Sequence, residues 1–214
     1  MHQRALESDI IIVNHHLFFA DLAVKEEDYG GIIPEYEAVI FDEAHELEDV
    51  AGQYFGLSIS NYQFMELRRD IAALLRRKSI NAAEIDRILL MLEERADYFF
   101  FLFEAGEGRT GFRGRPRFLE QHETAYNDVL RGLEMVGTQL ELIKDAPEEL
   151  IPLFTRTREI AHRLRFWMES EESEYVYWIE KRGRGVWLQA TPIDVSRLLS
   201  ERLFDTVDTV ILTS

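Results

Sequence analysis

Apolar residues along this chain fall into two kinds of pattern. Three short runs, Ile10–Val13, Ala38–Phe41 and Thr209–Thr213, are continuous, rich in β-branched residues and too short for helices. Unbroken apolar character without alternation predicts strands of a parallel sheet covered on both faces. Two of these runs precede residue 45 and the third lies at the C-terminal end, so the intervening sequence interrupts a sheet.

The interruption reads as helix. Over 61–78, Phe64, Leu67, Ile71, Leu74 and Leu75 share one helical face. Asn81 and Glu84 stand at capping-box spacing, and Ile85, Leu89, Leu92, Ala96, Phe99 and Phe103 form the next stripe, with Gly106 suited to its stop. Beyond Pro116 the period resumes through Tyr126, Val129, Leu130, Leu133, Val136, Leu140 and Ile143. A fourth stripe runs through Leu150, Leu153, Phe154, Thr157, Ile160, Leu164 and Trp167. Pro147 suits a first turn there, and Pro152 either kinks the helix or marks its start.

Glu174–Glu180 and Gly185–Ala190 flank Lys181-Arg182-Gly183-Arg184, which predicts a β-hairpin. Val195–Phe204, after Pro192, predicts one more helix. Gly106–Pro116 is the most loop-like segment. Tyr98–Phe103, with Phe99, Phe100 and Phe101 in a row, is too apolar for one helix face. It fits a helix buried on several sides or packing against another domain or a partner.

Composition narrows the classes. With 46% hydrophobic residues in 214, the chain can build a core, which excludes wholesale disorder. No run reaches the ~18–20 apolar residues of a bilayer span, and no secretory signal follows Met1–Arg4, so a soluble, cytoplasmic protein without membrane contact is expected. The absence of cysteine excludes disulfides, thiolate metal sites and an iron–sulfur cluster held by this chain. The formal charge of -16 argues against phosphate binding, but residues 1–50 hold 13 acids against 2 bases and the remainder is far more balanced. Total charge therefore does not decide the partner.

The sharpest chemical signal is Val39-Ile40-Phe41-Asp42-Glu43-Ala44-His45. Two carboxylates and an imidazole follow a buried strand, and ligands of open α/β sheets bind at the carboxyl ends of strands. An Asp there can hold Mg²⁺ directly or through water, and the adjacent Glu can deprotonate the water that attacks a γ-phosphate. Alternatively, Asp42 and Glu43 cap a following helix, Glu46–Tyr54, by favourable interaction with its dipole. A third reading takes His15, His16, Asp21 and His45 as metal ligands; adjacent histidines on a strand would face opposite ways, and no H-E-x-x-H spacing occurs. A satisfied buried role suits at least one of His15 and His16 better than a catalytic one.

Five pieces together resemble a known family: Ile10–Leu17, Ala38–His45, Tyr177–Glu180, Ala190–Val195 and Thr209–Ser214. In this order and at these separations they resemble superfamily 2 DNA helicases of the XPD/DinG type. The first, second and fifth are the more specific. The resemblance makes Asp42-Glu43-Ala44-His45 motif II and Thr213-Ser214 the opening of motif III. It implies that Asp42 helps hold Mg²⁺ beside ATP, that Glu43 activates water, and that His45 links the nucleotide site to motif III, where Thr213 and Ser214 contribute. It further implies an α/β motor domain, here a partial parallel sheet from 1–50 and 190–214. A mainly helical Arch-like insertion would occupy 51–189, with the hairpin at 174–190.

The departures matter equally. No G-x-x-x-x-G-K-[ST] phosphate loop occurs, since none of Lys25, Lys78, Lys144 and Lys181 follows a glycine. By resemblance, a 4Fe-4S cluster region would precede Met1 and a second motor domain would follow Ser214. The expectation is a fragment of an ATP-dependent helicase, inactive alone. Its parent would couple ATP hydrolysis to translocation on single-stranded DNA and duplex unwinding in repair or replication, alongside the remaining helicase domains.

Arg109, Arg113, Arg115 and Arg117 lie within an acid-free stretch that also holds Phe112 and adjoins Phe118, a composition suited to a single strand's phosphates and bases. A solvated loop paired with acids elsewhere fits the same stretch. Arg68, Arg69, Arg76, Arg77 and Lys78 suit the wet face of a helix, and Trp167, Trp178 and Trp187 suit a core. The competing functional class is a helical module that recruits a protein partner without touching DNA.

Overall fold

A computed structural model of the chain describes residues 5–25, 31–80, 83–104, 106–144 and 146–214. It divides into two compact units, one formed by 1–57, 173–176 and 191–214, the other by 58–172 and 177–190.

In the first unit, helix α1 (His15–Lys25) leads to strand β1 (Ala38–Phe41), a 3-10 turn (Ala44–Glu46) and helix α2 (Leu47–Phe55). After the excursion the chain returns through α7 (Ser196–Leu199), which continues as a π turn (Ser200–Phe204), to strand β6 (Thr209–Leu212). β1 and β6 pair in parallel, with Ala38 opposite Thr209 and Phe41 opposite Leu212. Parallel neighbours require a crossover; here it contains the entire second unit. Phe18, Phe19, Phe41, Val50, Ala51 and Leu203 lie in the apolar core that holds α1, β1, α2 and the π turn together.

Two strand expectations need correction. Ile10–Val13 is irregular rather than a strand, and Ile10 and Ile12 are 82% and 94% exposed. Its β-branched residues favour extension, but a strand also needs cross-strand neighbours, and among the described residues only β1 and β6 form this sheet. Nor is the pair covered on both faces: Phe41 is buried, whereas Ile40, Ile211 and Leu212 remain largely exposed.

The second unit follows the predicted periodicities closely. Strand β2 (Leu57–Ser60) runs into α3 (Asn61–Arg77), where Ser60 and Gln63 form a capping box. Helices α4 (Ala83–Phe101), α5 (Arg115–Glu141) and α6 (Leu150–Glu169) follow. Each of α3 to α6 packs on the next and α6 packs back on α3, so every apolar stripe is buried against two neighbours. Leu67, Ile71, Leu92, Ala96, Val129, Val136 and Leu164 are fully excluded from water as a result.

Element ends differ in detail. Asn81 lies outside the described residues. α4 stops at Phe101 rather than Gly106, and Phe103 reaches the core from the following turn. Pro116 sits in the first turn of α5, and α6 begins at Leu150, which places Pro152 where no intrahelical donor is needed.

Strands β3 (Gly108–Gly111), β4 (Tyr175–Arg182) and β5 (Gly185–Pro192) join β2 in the order β2-β5-β4-β3. The hairpin turn is the pair Gly183-Arg184, with Gly183 at φ 57°, a conformation that glycine adopts without strain. The segment read as a loop contains β3, an edge strand antiparallel to β4, because Arg109 and Thr110 align opposite Glu180 and Ile179. No helix among the described residues is long and apolar enough to cross a membrane.

Candidate functional site

The acidic site is built where β1 ends. The Phe41 carbonyl accepts from Thr213 N–H at 2.8 Å, and Ala44 N–H donates to the Thr213 carbonyl at 2.8 Å. These bonds extend the parallel pairing past both strands and hold Asp42 beside Thr213. Thr213 Oγ1 then donates to Asp42 Oδ1 at 3.1 Å, and the same oxygen accepts from Glu43 N–H at 3.1 Å. Two predicted site residues far apart in sequence therefore meet.

Glu43 occupies the left-handed region, at φ 51° and ψ 50°. A non-glycine residue there carries conformational strain, which turns the chain sharply between β1 and the 3-10 turn. Its carboxylate lies 3.3 Å from His45 Nδ1, and both side chains are exposed. No side-chain hydrogen bond supports the capping alternative. Neither Asp42 nor Glu43 gives a side-chain cap: Glu43 precedes the 3-10 turn without one, and α2 starts after Glu46. Ser214 follows Thr213 as an exposed terminal residue.

The four-residue metal reading finds no matching geometry. His15 and His16 begin α1, where their rings approach Phe41 and Tyr54 at 5.8 Å and 5.9 Å. Neither is buried, which corrects the buried role expected for one of them; His15 keeps a half-buried contact with Phe41 because it opens α1 at the edge of the core. Asp21 is buried, and its Oδ1 accepts from the backbone N–H of Ile32 and from that of Ile33 at 2.9 Å. Among the described residues no group of three or more potential ligands converges.

The carboxylate at the end of β1 still suits Mg²⁺ bound beside a nucleotide. Such an ion takes one or two carboxylates and completes its octahedron with phosphate oxygens and water. Asp42, exposed at the strand end, offers one carboxylate of this kind. An iron–sulfur cluster does not fit, because the chain contains no cysteine.

In the second unit the four arginines separate into distinct roles. Arg115 donates from Nη1 to the Trp167 carbonyl at 2.5 Å and from Nη2 to the Ser170 carbonyl at 2.8 Å, with its guanidinium 3.3 Å above the Tyr177 ring. Arg115 thus ties the start of α5 to the carbonyl end of α6, a set of contacts that the other three arginines do not make. Arg109 approaches Glu180 at 3.3 Å and lies over Trp178 at 4.8 Å. Arg113 and Arg117 are exposed and make no ion pair among the described residues.

Glu180 was not singled out by sequence. Burial alone would raise its pKa, but hydrogen bonds donated by Arg182 and Arg109 and their charges hold it below the ordinary carboxylate value. The available signal was the alternation along β4, which puts Glu180 beside Arg182 on one face and across from Arg109. Trp167 is core as expected, with Nε1–H donating to the Gln189 carbonyl at 2.9 Å; Trp178 and Trp187 are only half-buried.

No family model matches the chain. It is 32% identical over 219 residues to the ATP-dependent DNA helicase YoaA of Escherichia coli (strain K12), a match covering 99% of this chain and 33% of that protein. A second match, at 33% identity over 201 residues, is to the protein of the same name from Haemophilus influenzae, covering 91% of this chain and 30% of the relative. The chain thus spans about a third of the length of the curated relatives it matches. Among solved structures it resembles Xpd4 of S. tokodaii with a TM-score of 0.45 at 15% identity, over 92% of this chain and 38% of that one. The resemblance to helicases of the XPD/DinG type carried by the five motifs stands on the two curated matches.

Proposed function

We propose that this chain is the part of an ATP-dependent DNA helicase that carries the water-activating carboxylate and the first residues of the motif that senses it. The observation that supports this reading best is the Thr213 to Asp42 hydrogen bond across the β6 and β1 ends. It joins two motifs at the strand edge where an α/β fold binds its ligand. In this reading Asp42 would hold Mg²⁺, which would offset charge on the triphosphate. Glu43 takes the proton from the attacking water. His45, next to Glu43, and Thr213 with Ser214 report the state of that site to the rest of the motor.

The helical second unit is the Arch-like insertion, and its parent protein couples ATP hydrolysis to translocation on single-stranded DNA and duplex unwinding, in repair or replication. Arg113 and Arg117 meet the strand's phosphates, with Arg109 alongside; Arg115 supports the loop. Phosphoryl transfer depends on positioning and electrostatics from several elements at once. A chain in which no lysine follows a glycine has no phosphate-loop lysine, so this chain alone turns over no measurable ATP. In the whole gene product, Glu43→Gln lowers DNA-stimulated ATP hydrolysis by about 100-fold or more. ATP turnover by the 214-residue chain that vanishes in Glu43→Gln would overturn the fragment reading.

The alternative of a protein-recruiting module draws on Tyr98 and Phe101, which are 60% and 80% exposed at the end of α4. Salt-dependent oligonucleotide binding that weakens in Arg113→Ala with Arg117→Ala favours the DNA role; binding unaffected by salt or by these changes favours the protein role.

A further inference from the structure

The second unit contains a cleft of about 930 Å³ that none of the motifs accounts for. Its walls come from the start of α3, the C-terminal half of α4 and the turn after it, the start of α5 and the tip of the β4–β5 hairpin. The volume suits a nucleotide-sized ligand.

Three features give its chemistry. The floor is backed by buried aromatic side chains: Phe103 and Phe118 stack on each other with centroids 4.1 Å apart and planes 16° apart, and the half-buried Phe112, 5.7 Å from both, stacks on Trp167, so the floor offers apolar edges and Phe101 the open face. Phe101 lines the cleft yet is 80% exposed, so a large apolar face is available to stack on a ligand. The second feature is a set of polar side chains along one wall, Asp97, Gln121 and His122. Helix α5 departs from helical geometry at His122, with φ -125° and ψ 25°, so the backbone is irregular where it borders the cleft. Burial and the neighbouring Glu93 raise the Asp97 pKa against a hydrogen bond from Asn61.

The third feature is charge. The hairpin tip brings Lys181 and Arg184 to the cleft, and neither forms an ion pair among the described residues; of the acids that also line it, Glu93 is paired with Arg68, while Asp97 and Glu104 lie on the α4 side. A phosphate at the hairpin side of the cleft would meet these two cations. Arg113 follows Phe112 directly in sequence and is exposed.

We propose that this cleft takes an unstacked nucleobase, held by Phe101 over the aromatic floor and by the polar wall, with the attached phosphate at Lys181 and Arg184. The ligand class is a nucleoside phosphate, whether free or within a single strand. This inference rests on the reading that the chain meets single-stranded DNA. Stacking on aromatic side chains accepts any base and adds to an otherwise electrostatic contact. The cleft therefore adds base-dependent affinity to the backbone contact made by Arg113 and Arg117.

The experiment compares binding of the full chain to a decathymidylate, to an abasic strand of equal length and charge, and to thymidine monophosphate. The decathymidylate binds about tenfold more tightly than the abasic strand. Phe101→Ala removes that difference and leaves abasic binding unchanged, while circular dichroism confirms an intact fold. Arg113→Ala with Arg117→Ala weakens both strands equally, so loss of the backbone contact is read separately from loss of the cleft. Monophosphate binding that is lost in Phe101→Ala identifies a free nucleotide as the ligand even where neither strand binds. Equal affinity for the two strands without monophosphate binding, or a difference that survives Phe101→Ala, overturns the proposal. So does N-acetyltryptophanamide occupying the cleft when the thymidine ligands do not, an outcome that would assign it to a protein side chain.

Discussion

Thr213 donates its hydroxyl to Asp42 at 3.1 Å although 171 residues separate them. The contact follows from the parallel pairing of β1 and β6, which places the two strand ends side by side. Everything between them can vary in length without altering that adjacency, because a crossover has only to begin and end at the sheet. The acidic site is therefore a property of the strand edge.

A double-mutant cycle measures this contact. Asp42→Ala and Thr213→Val each destabilise the chain slightly in urea unfolding, with a coupling energy of about 0.5 kcal/mol, the low end for a solvent-exposed hydrogen bond. Strictly additive effects would mean that the side chains do not hold one another in solution.

Arg115 and Arg113, two residues apart, should behave oppositely. Arg115 bonds two carbonyls and covers Tyr177, so Arg115→Ala costs about 2–3 kcal/mol in unfolding experiments. Arg113→Ala changes stability by less than about 0.5 kcal/mol and weakens oligonucleotide binding instead. The reverse order would exchange their roles.

These arginines show how far sequence reaches. The bundle was legible because its stripes repeat every three or four residues, as Leu67, Ile71 and Leu74 do in α3. The edge strand β3 was not, since Gly108, Arg109, Thr110 and Gly111 have no apolar alternation and gain strand geometry from pairing with β4. Ile10–Val13 failed in the opposite sense: strong β-propensity did not produce a strand without neighbours. In the candidate site, motif order picked out Asp42 and Thr213, which the structure brings into contact, but the division of labour among the arginines could not be read. It depends on where Trp167 and Ser170 leave their carbonyls at the end of α6.

Glu180 supplies a pH dependence. Desolvation opposes its ionisation, yet bonds from Arg182 and Arg109 outweigh that and lower its pKa on folding. A carboxylate with a depressed folded pKa contributes stability above its unfolded value, and loses it as pH falls through the folded value. Both arginines are mostly exposed, so the contribution stays below about 1 kcal/mol. Glu180→Gln should flatten the acid limb of stability measured between the ordinary glutamate pKa and the more acidic range. An unchanged acid limb would show that the pair carries no net ionic stabilisation.

Glu43 sets function against stability. Its φ of 51° is unfavourable for a residue with a Cβ and normal for glycine. The strain persists because the Phe41, Ala44 and Thr213 backbone bonds fix the turn on both sides. Glu43→Gly relieves it while also removing the weak contact to His45, so the chain becomes more stable by about 0.5–1 kcal/mol in urea unfolding. Glu43→Gln keeps the backbone strain and leaves stability nearly unchanged. If Glu43 activates the attacking water as proposed, both variants lose ATP hydrolysis in the whole gene product. Stabilisation by glycine together with inactivation by both substitutions would mark Glu43 as a residue kept in a costly conformation for its carboxylate. Destabilisation by glycine would mean that the side chain itself supports the turn.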